Sequence, residues 1–185
     1  NSSANIFEFF IGGETSNYDF TDSSILVDPT SKQMLNIGNL GAYVSIFGLE
    51  GEYESSNEKY EAWSAMLALR IFGTATQGTN LTFHFGQRNV AFATGSKYQN
   101  FFWGGKVNLC LLSFFGLEGL YRNYLTDTAI GVDLIGERLE YGAFIDISFL
   151  RLYGNMFKEI LDYSQDATSS RQEREGVKFG LKLFF

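Results

Sequence analysis

The chain has 185 residues and a net charge of −7, with 14 lysines and arginines against 21 aspartates and glutamates; this argues against nucleic-acid binding and suits a well-solvated exposed surface. Hydrophobic residues make up 45% and aromatics 17%, with 20 glycines and a single proline, Pro29, a balance that suits strands better than helices. No apolar run approaches the ~20 residues of a membrane-spanning helix, the lone Cys110 excludes an intrachain disulfide, and with His84 the only histidine no metal site or cofactor is expected.

The first residues show no signal-peptide pattern and are read as the start of a mature form. A first strand is expected over Asn5–Gly13, with Phe7, Phe9 and Ile11 on one face and Glu8 on the other. Glu14–Asn36 is polar, holds Pro29 and reads as a long loop. Gly38–Glu54 reads as one strand, with Tyr43, Phe47, Leu49 and Tyr53 opposite Gly48, Glu50, Glu52 and Glu54. After a polar turn at Ser55–Lys59, Tyr60–Phe72 sets Trp63, Leu67, Leu69 and Ile71 against Ser64, Ala68 and Arg70. Gly73–Thr79 is a turn of small residues, and Asn80–Asn89 sets Leu81, Phe83 and Phe85 against Thr82, His84 and Arg88. Arg88–Asn100 is a connection.

Phe101–Tyr124 lacks a clear turn signal. It is either one strand that extends beyond a membrane or two strands with a tight turn near Leu112–Phe114. A strand at Thr128–Gly136, a turn at Glu137–Arg138 and a strand at Leu139–Tyr153 follow. Gly154–Glu175 reads as a second long loop, in which Met156, Phe157, Ile160 and Leu161 have helical spacing. The last strand, Val177–Phe185, alternates to its final residue. One repeat stands out: Ser45–Tyr53 matches Ser113–Tyr121 at most positions.

The strand charges and His84 share one face: Glu8, Glu50, Glu52, Arg70, His84, Arg88, Lys106, Glu118, Arg122, Asp133, Glu140 and Asp146. The opposite face is apolar. In a membrane the charged face must turn inward, since a basic side chain at the bilayer midplane costs about 2–4 kcal/mol. Trp63, Trp103, Tyr43, Tyr53, Tyr121 and Tyr141 fall on the apolar face, where aromatic girdles form.

The chain end resembles the C-terminal sorting signal of bacterial outer-membrane proteins, with Lys178, Gly180, Leu183 and Phe185 at its polar, glycine, hydrophobic and terminal aromatic positions. Together with the strand pattern, this makes the chain similar to the small OmpA/OmpX-type barrels of Gram-negative bacteria. The resemblance implies an all-β, antiparallel, up-and-down barrel in one domain over residues 1–185, with about eight strands, or ten if further turns are hidden. It implies a monomer in the outer membrane, in contact with outer-membrane lipid and lipopolysaccharide and inserted by the barrel assembly machinery. Both termini are expected on the periplasmic side, with the segments 14–37 and 154–175 presented outside to an extracellular partner.

The function expected is envelope structure or loop-mediated binding around a polar, plugged lumen, with no catalytic role. A narrow pore is the first alternative. The second is a lipid A-modifying enzyme using His84, although a histidine that faces the lumen does not reach lipid and lacks a neighbouring His-x-Ser pattern. An omptin-like protease would need an Asp–His pair on a longer, ten-stranded barrel, and a soluble lipocalin-like barrel would need the inverse face pattern.

Overall fold

The computed structural model describes residues 7–25, 30–57, 60–92, 95–129, 131–165 and 168–185. These form ten antiparallel strands: β1 Phe7–Asp22, β2 Thr30–Val44, β3 Phe47–Ser56, β4 Tyr60–Phe72, β5 Asn80–Ala91, β6 Lys97–Cys110, β7 Phe115–Ala129, β8 Val132–Ile147, β9 Leu150–Gln165 and β10 Thr168–Phe184. Each pairs with its sequence neighbours, and β10 closes on β1. Closure removes the exposed edge that an apolar last strand would otherwise present.

Following the ladder fixes the barrel's dimensions. Phe10 pairs with Gly41, then Glu50, Met66, Gly86 and Phe102, and the path continues through Tyr124, Gly136, Leu161 and Gln172 to return to β1 at Asp22. The return point lies twelve residues along from the start (Phe10 to Asp22). With a rise of about 3.3 Å per residue and about 4.8 Å between strands, ten strands with this stagger tilt by about 40° and enclose a radius of about 10 Å.

Ten strands lie within the range that the alternation left open, and the divided reading of Phe101–Tyr124 is the correct one, with the turn at residues 111–114. Other boundaries change. The segment expected as one strand over Gly38–Glu54 is β2 and β3 joined at Ser45–Ile46, and Leu139–Tyr153 is divided at Ser148–Phe149. Ser45 and Ser148 both take positive φ, 58° and 57°, where glycine or asparagine is the usual marker, so neither turn announces itself. The expected turn at Glu137–Arg138 lies inside β8.

The two expected long loops are strands. Residues 14–22 continue β1 and 30–36 belong to β2, with 26–29 outside the described residues. Gly154–Gln165 continues β9 and Thr168–Glu175 belongs to β10, so the helical spacing at Met156–Leu161 marks no helix. The connections opposite the chain termini are therefore short. The Arg88–Asn100 segment narrows to the gap between Ala91 and Lys97 and lies at that same end, where the ten-strand count puts it.

The strands misread because their polarity inverts along their length. Near the termini the outer face is apolar and the inner face polar: Phe7, Phe9 and Ile11 are exposed, as are Leu67, Leu69 and Ile71. Further up, the faces exchange character. Tyr18, Leu35, Ile37, Tyr60, Ala62, Val90 and Phe157 pack together inside, while Asn17, Asp19, Lys32 and Glu61 face out. In β9 the apolar position passes from Met156 outside to Phe157 inside, which mimics helical spacing. The outer apolar belt, Trp63–Ile71 on β4 for example, spans about 20–25 Å at this tilt, close to the ~25 Å band of outer-membrane barrels. The wall then rises above the belt as a polar-surfaced collar with its own small core.

Candidate functional site

The lumen is built from inward positions on all ten strands, stacked in layers. At the end bearing the termini, Arg70 Nη1 donates to Glu8 at 2.8 Å and its Nη2 to Thr76 Oγ1 at 2.8 Å. Thr76 belongs to the connection between β4 and β5, and its amide and hydroxyl donate to the other oxygen of Glu8. The neighbouring Gln77 carbonyl accepts from Arg151 Nη2 at 2.8 Å, and Arg151 clasps Asp146 at 2.7 and 2.8 Å. This turn is thus pinned to β1 on one side and β9 on the other, and it lies across the bore.

The middle layer holds Glu50, His84, Lys106, Glu118 and Lys182 around a cavity of about 40 Å³, room for a few water molecules. Glu50 accepts from the Tyr43 hydroxyl and lies 3.3 Å from His84 Nε2. Lys106 pairs with Glu118 at 3.6 Å. Lys182 lies 4.4 Å from the centre of the Phe10 ring. Arg122 clasps Glu52 through both Nη atoms at 2.6 Å.

Above this, one chain of opposite charges runs through the barrel. Tyr153 and Asn39 donate to Glu14, Glu14 and Glu140 flank Lys178 at 2.8 and 2.6 Å, and Arg138 Nε donates to Glu140 at 2.7 Å. Arg138 also reaches Glu54 at 2.7 Å, and Arg88 joins Glu54 at 3.0 Å to Glu159 at 3.2 Å. Arg174 meets Glu159 from above at 3.4 Å. Arg88, Arg138, Glu54 and Glu159 are each at most 2% exposed. Buried charges cost least when each has partners of opposite sign, and each of these four lies within 4.0 Å of at least one.

The inward charges balance. The acids are Glu8, Glu14, Glu50, Glu52, Glu54, Glu118, Glu140, Asp146 and Glu159, and the bases are Arg70, Arg88, Lys106, Arg122, Arg138, Arg151, Arg174, Lys178 and Lys182. Among the described residues below the rim nine face nine, so, leaving His84 and the rim carboxylate Asp22 aside, this set carries no net formal charge. The chain's −7 is carried by its other residues.

Of the expected lumen residues, the structure brings Glu50 and His84 together, pairs Glu52 with Arg122 and Lys106 with Glu118, and sets Arg70, Arg88 and Asp146 in the layers above and below. Asp133 stands apart: it bonds to Thr128 near the far rim, because Leu134 takes the inward position beside it. Tyr43, expected in the outer girdle, points inward and is 2% exposed, since the turn at Ser45–Ile46 reverses the phase assumed for it. Trp63, Trp103, Tyr53 and Tyr141 do face outward. The partners missed were Glu14, Arg138, Glu159 and Arg174, within segments taken as loop or turn, and Arg151, which the turn at Ser148–Phe149 brings to the inner face. Lys178, singled out for its place near the chain end, is a central ion-pair partner; Leu183 and Phe185 lie on the outer wall near β1, and Gly180 leaves room for the Tyr153 ring. The repeat is structural: Phe47 and Phe115 each open a strand rising from a turn, and Glu50 and Glu118 then meet the same cavity.

A second concavity of about 350 Å³ opens at the rim opposite the termini, lined by Asp22, Phe92, Tyr98, Tyr163, Ser170 and Gln172 among others. Burial raises the Asp22 carboxyl, but hydrogen bonds from the Ser24 hydroxyl and amide and from Gln172, with the charge of Arg174, hold it below its ordinary value.

A closed ten-stranded antiparallel barrel with an apolar outer belt and a polar, ion-paired interior has the fold of the bacterial outer-membrane β-barrels. Among solved structures it is similar to the outer membrane protease OmpT of Escherichia coli, with 8% identity over 99% of this chain and 98% of that one and a TM-score of 0.56. Neisserial surface protein A matches with 11% identity over 95% and 96% of the two chains and a TM-score of 0.41. No protein-family model and no curated sequence matches the chain.

Proposed function

We propose that this is a non-conducting barrel of the bacterial outer membrane that acts from its outer surface: it anchors a rigid collar in the membrane and offers the far rim for binding. The observation that carries this reading is the closed layer of Glu54, Arg88, Arg138 and Glu159, each at most 2% exposed. The folded turn at the other end adds a second seal. A balanced lumen also lacks the excess of one sign that lines ion-selective pores. The outer apolar belt supports a membrane setting, with lipid and lipopolysaccharide as its surroundings and the barrel assembly machinery as its route in. His84 is 1% exposed within the lumen, and Phe83 and Phe85 rather than His84 face the outer wall, which favours a structural histidine over one acting on lipid. Because the connections at the far end are short, partner binding falls to the collar and rim rather than to long loops.

Single-channel recording of the refolded chain in a planar bilayer tests this. An inserted barrel, verified by its heat-modifiable migration on a gel, is expected to stay silent. Discrete, reproducible openings would overturn the closed-bore reading and favour a narrow pore.

A further inference from the structure

We propose that the cup at the rim opposite the termini is a binding site for a neutral saccharide. This deepens the closed-bore reading and rests on it, since in an open barrel the same cup would be the vestibule of a pore.

The floor of the cup is aromatic. Phe92, Tyr98 and Tyr163 pack edge to face in a triangle, each pair of ring centres 6.1 Å apart and the planes 70–78° to one another. Tyr60 supports Phe92 from below at 5.7 Å, and beneath it lies the ion-paired layer, so the floor rests on a braced base. Around it, beside Val132, Ser24, Ser96, Thr168 and Ser170 supply hydroxyls, and Gln165 and Gln172 supply amides. One side is already ordered by a chain of hydrogen bonds. Ser24 donates to Asp22 through its amide at 2.9 Å and its hydroxyl at 2.6 Å, Gln172 donates to the other Asp22 oxygen at 3.0 Å, and the Tyr163 hydroxyl bonds to Gln172 Oε1 at 3.1 Å.

The chemistry of this lining selects its ligand. Among the described lining residues there is no lysine, arginine or histidine, so nothing there rewards an anion. The one carboxylate among the described lining residues, Asp22, already accepts from Ser24 and Gln172, which leaves little for a cation to gain. What remains is a set of hydroxyl and amide donors and acceptors around apolar rings. A sugar matches both halves: its C–H face lies on the aromatic floor and its hydroxyls reach the amides and the free lone pairs of Asp22. A cavity of about 350 Å³ is at the small end of ligand sites and suits one or two sugar rings. The polar outer collar holds this cup clear of the apolar belt, at a height where a glycan in solution or on a neighbouring surface reaches it.

The test uses the full chain in lipid nanodiscs with lactose, maltose and N,N′-diacetylchitobiose as neutral probes and digalacturonate as the acidic control, read by saturation-transfer NMR and titration. At least one neutral disaccharide is expected to bind at millimolar concentration or below, with transfer strongest to protons of one sugar face. Thr168→Trp and Ser170→Trp fill the cup from its accessible wall and should weaken that binding about tenfold or more, while both variants still fold and insert. Absence of binding by all three neutral sugars, equal binding by the filled variants, or preference for the acidic sugar would overturn the proposal. A silent barrel that binds no sugar refutes the saccharide alone, whereas a conducting barrel refutes the closed bore on which it rests.

Discussion

Removing the Glu52 carboxylate is the sharpest test of the ion-paired lumen. Both its oxygens accept from Arg122 at 2.6 Å, and among the described residues Arg122 has no other carboxylate within 4.0 Å. Glu52→Ala would leave a guanidinium that is 3% exposed facing the Met66 sulfur at 3.6 Å and the Phe102 ring at 5.1 Å. Breaking one side of a buried pair costs about 3–5 kcal/mol. The small cavity beside Glu52 admits water to the vacated space, so about 3 kcal/mol is expected. Replacing both partners by apolar residues of similar volume, Glu52→Leu with Arg122→Met, removes the orphaned charge and should recover most of that loss. Equilibrium urea unfolding in detergent micelles, followed by the fluorescence of Trp63 and Trp103 on the outer wall, measures both variants. A single-variant loss under about 1 kcal/mol, or a double variant no more stable than the single, would refute the claim that this pair is buried and interdependent.

Two further outcomes follow from the packing and the orientation. In the same unfolding assay Gly142→Ala should destabilise by about 1–3 kcal/mol, because its Cβ would lie 2.1 Å from the Gly154 carbonyl oxygen and 2.2 Å from Asn155 Oδ1; Gly38→Ala, whose Cβ meets nothing within 4 Å, should be neutral or gain about 0.4–1 kcal/mol, and equal losses would contradict the close approach of β8 and β9. The exposed Cys110 lies at the end bearing the termini, so a membrane-impermeant maleimide is expected to label it only after the outer membrane is permeabilised; labelling in intact cells would reverse the orientation.

The belt was legible because an apolar outer face and a charged inner face impose one strict alternation, and Tyr60–Phe72 obeys it so closely that β4 has the boundaries read from the pattern. The collar was not legible for the same reason in reverse. Beyond the apolar belt the outer face turns polar and the inner face packs aromatics, so the residues of β1 from Glu14 to Asp22 look like a polar loop when judged by the rule that holds in the belt. The turns at Ser45 and Ser148 were hidden because neither uses glycine, asparagine or proline. The two-residue turn also shifts the alternation by one, since Val44 and Phe47 pair directly across the bend, so Tyr43, read in phase with Phe47, faces inward.

The sequence by itself determined the class of fold and the inward face of the belt, since only one phase keeps Arg70, Arg88 and Glu118 out of lipid. It could not determine which charges meet. Arg122 finds Glu52 70 residues away and Arg138 finds Glu54 84 residues away, across the bore rather than along a strand. Those partnerships depend on the strand number and the stagger of the closed ladder, which set which layers coincide in height. Only the tertiary structure supplies that closure, and with it the buried ion-paired layers and the aromatic cup above them.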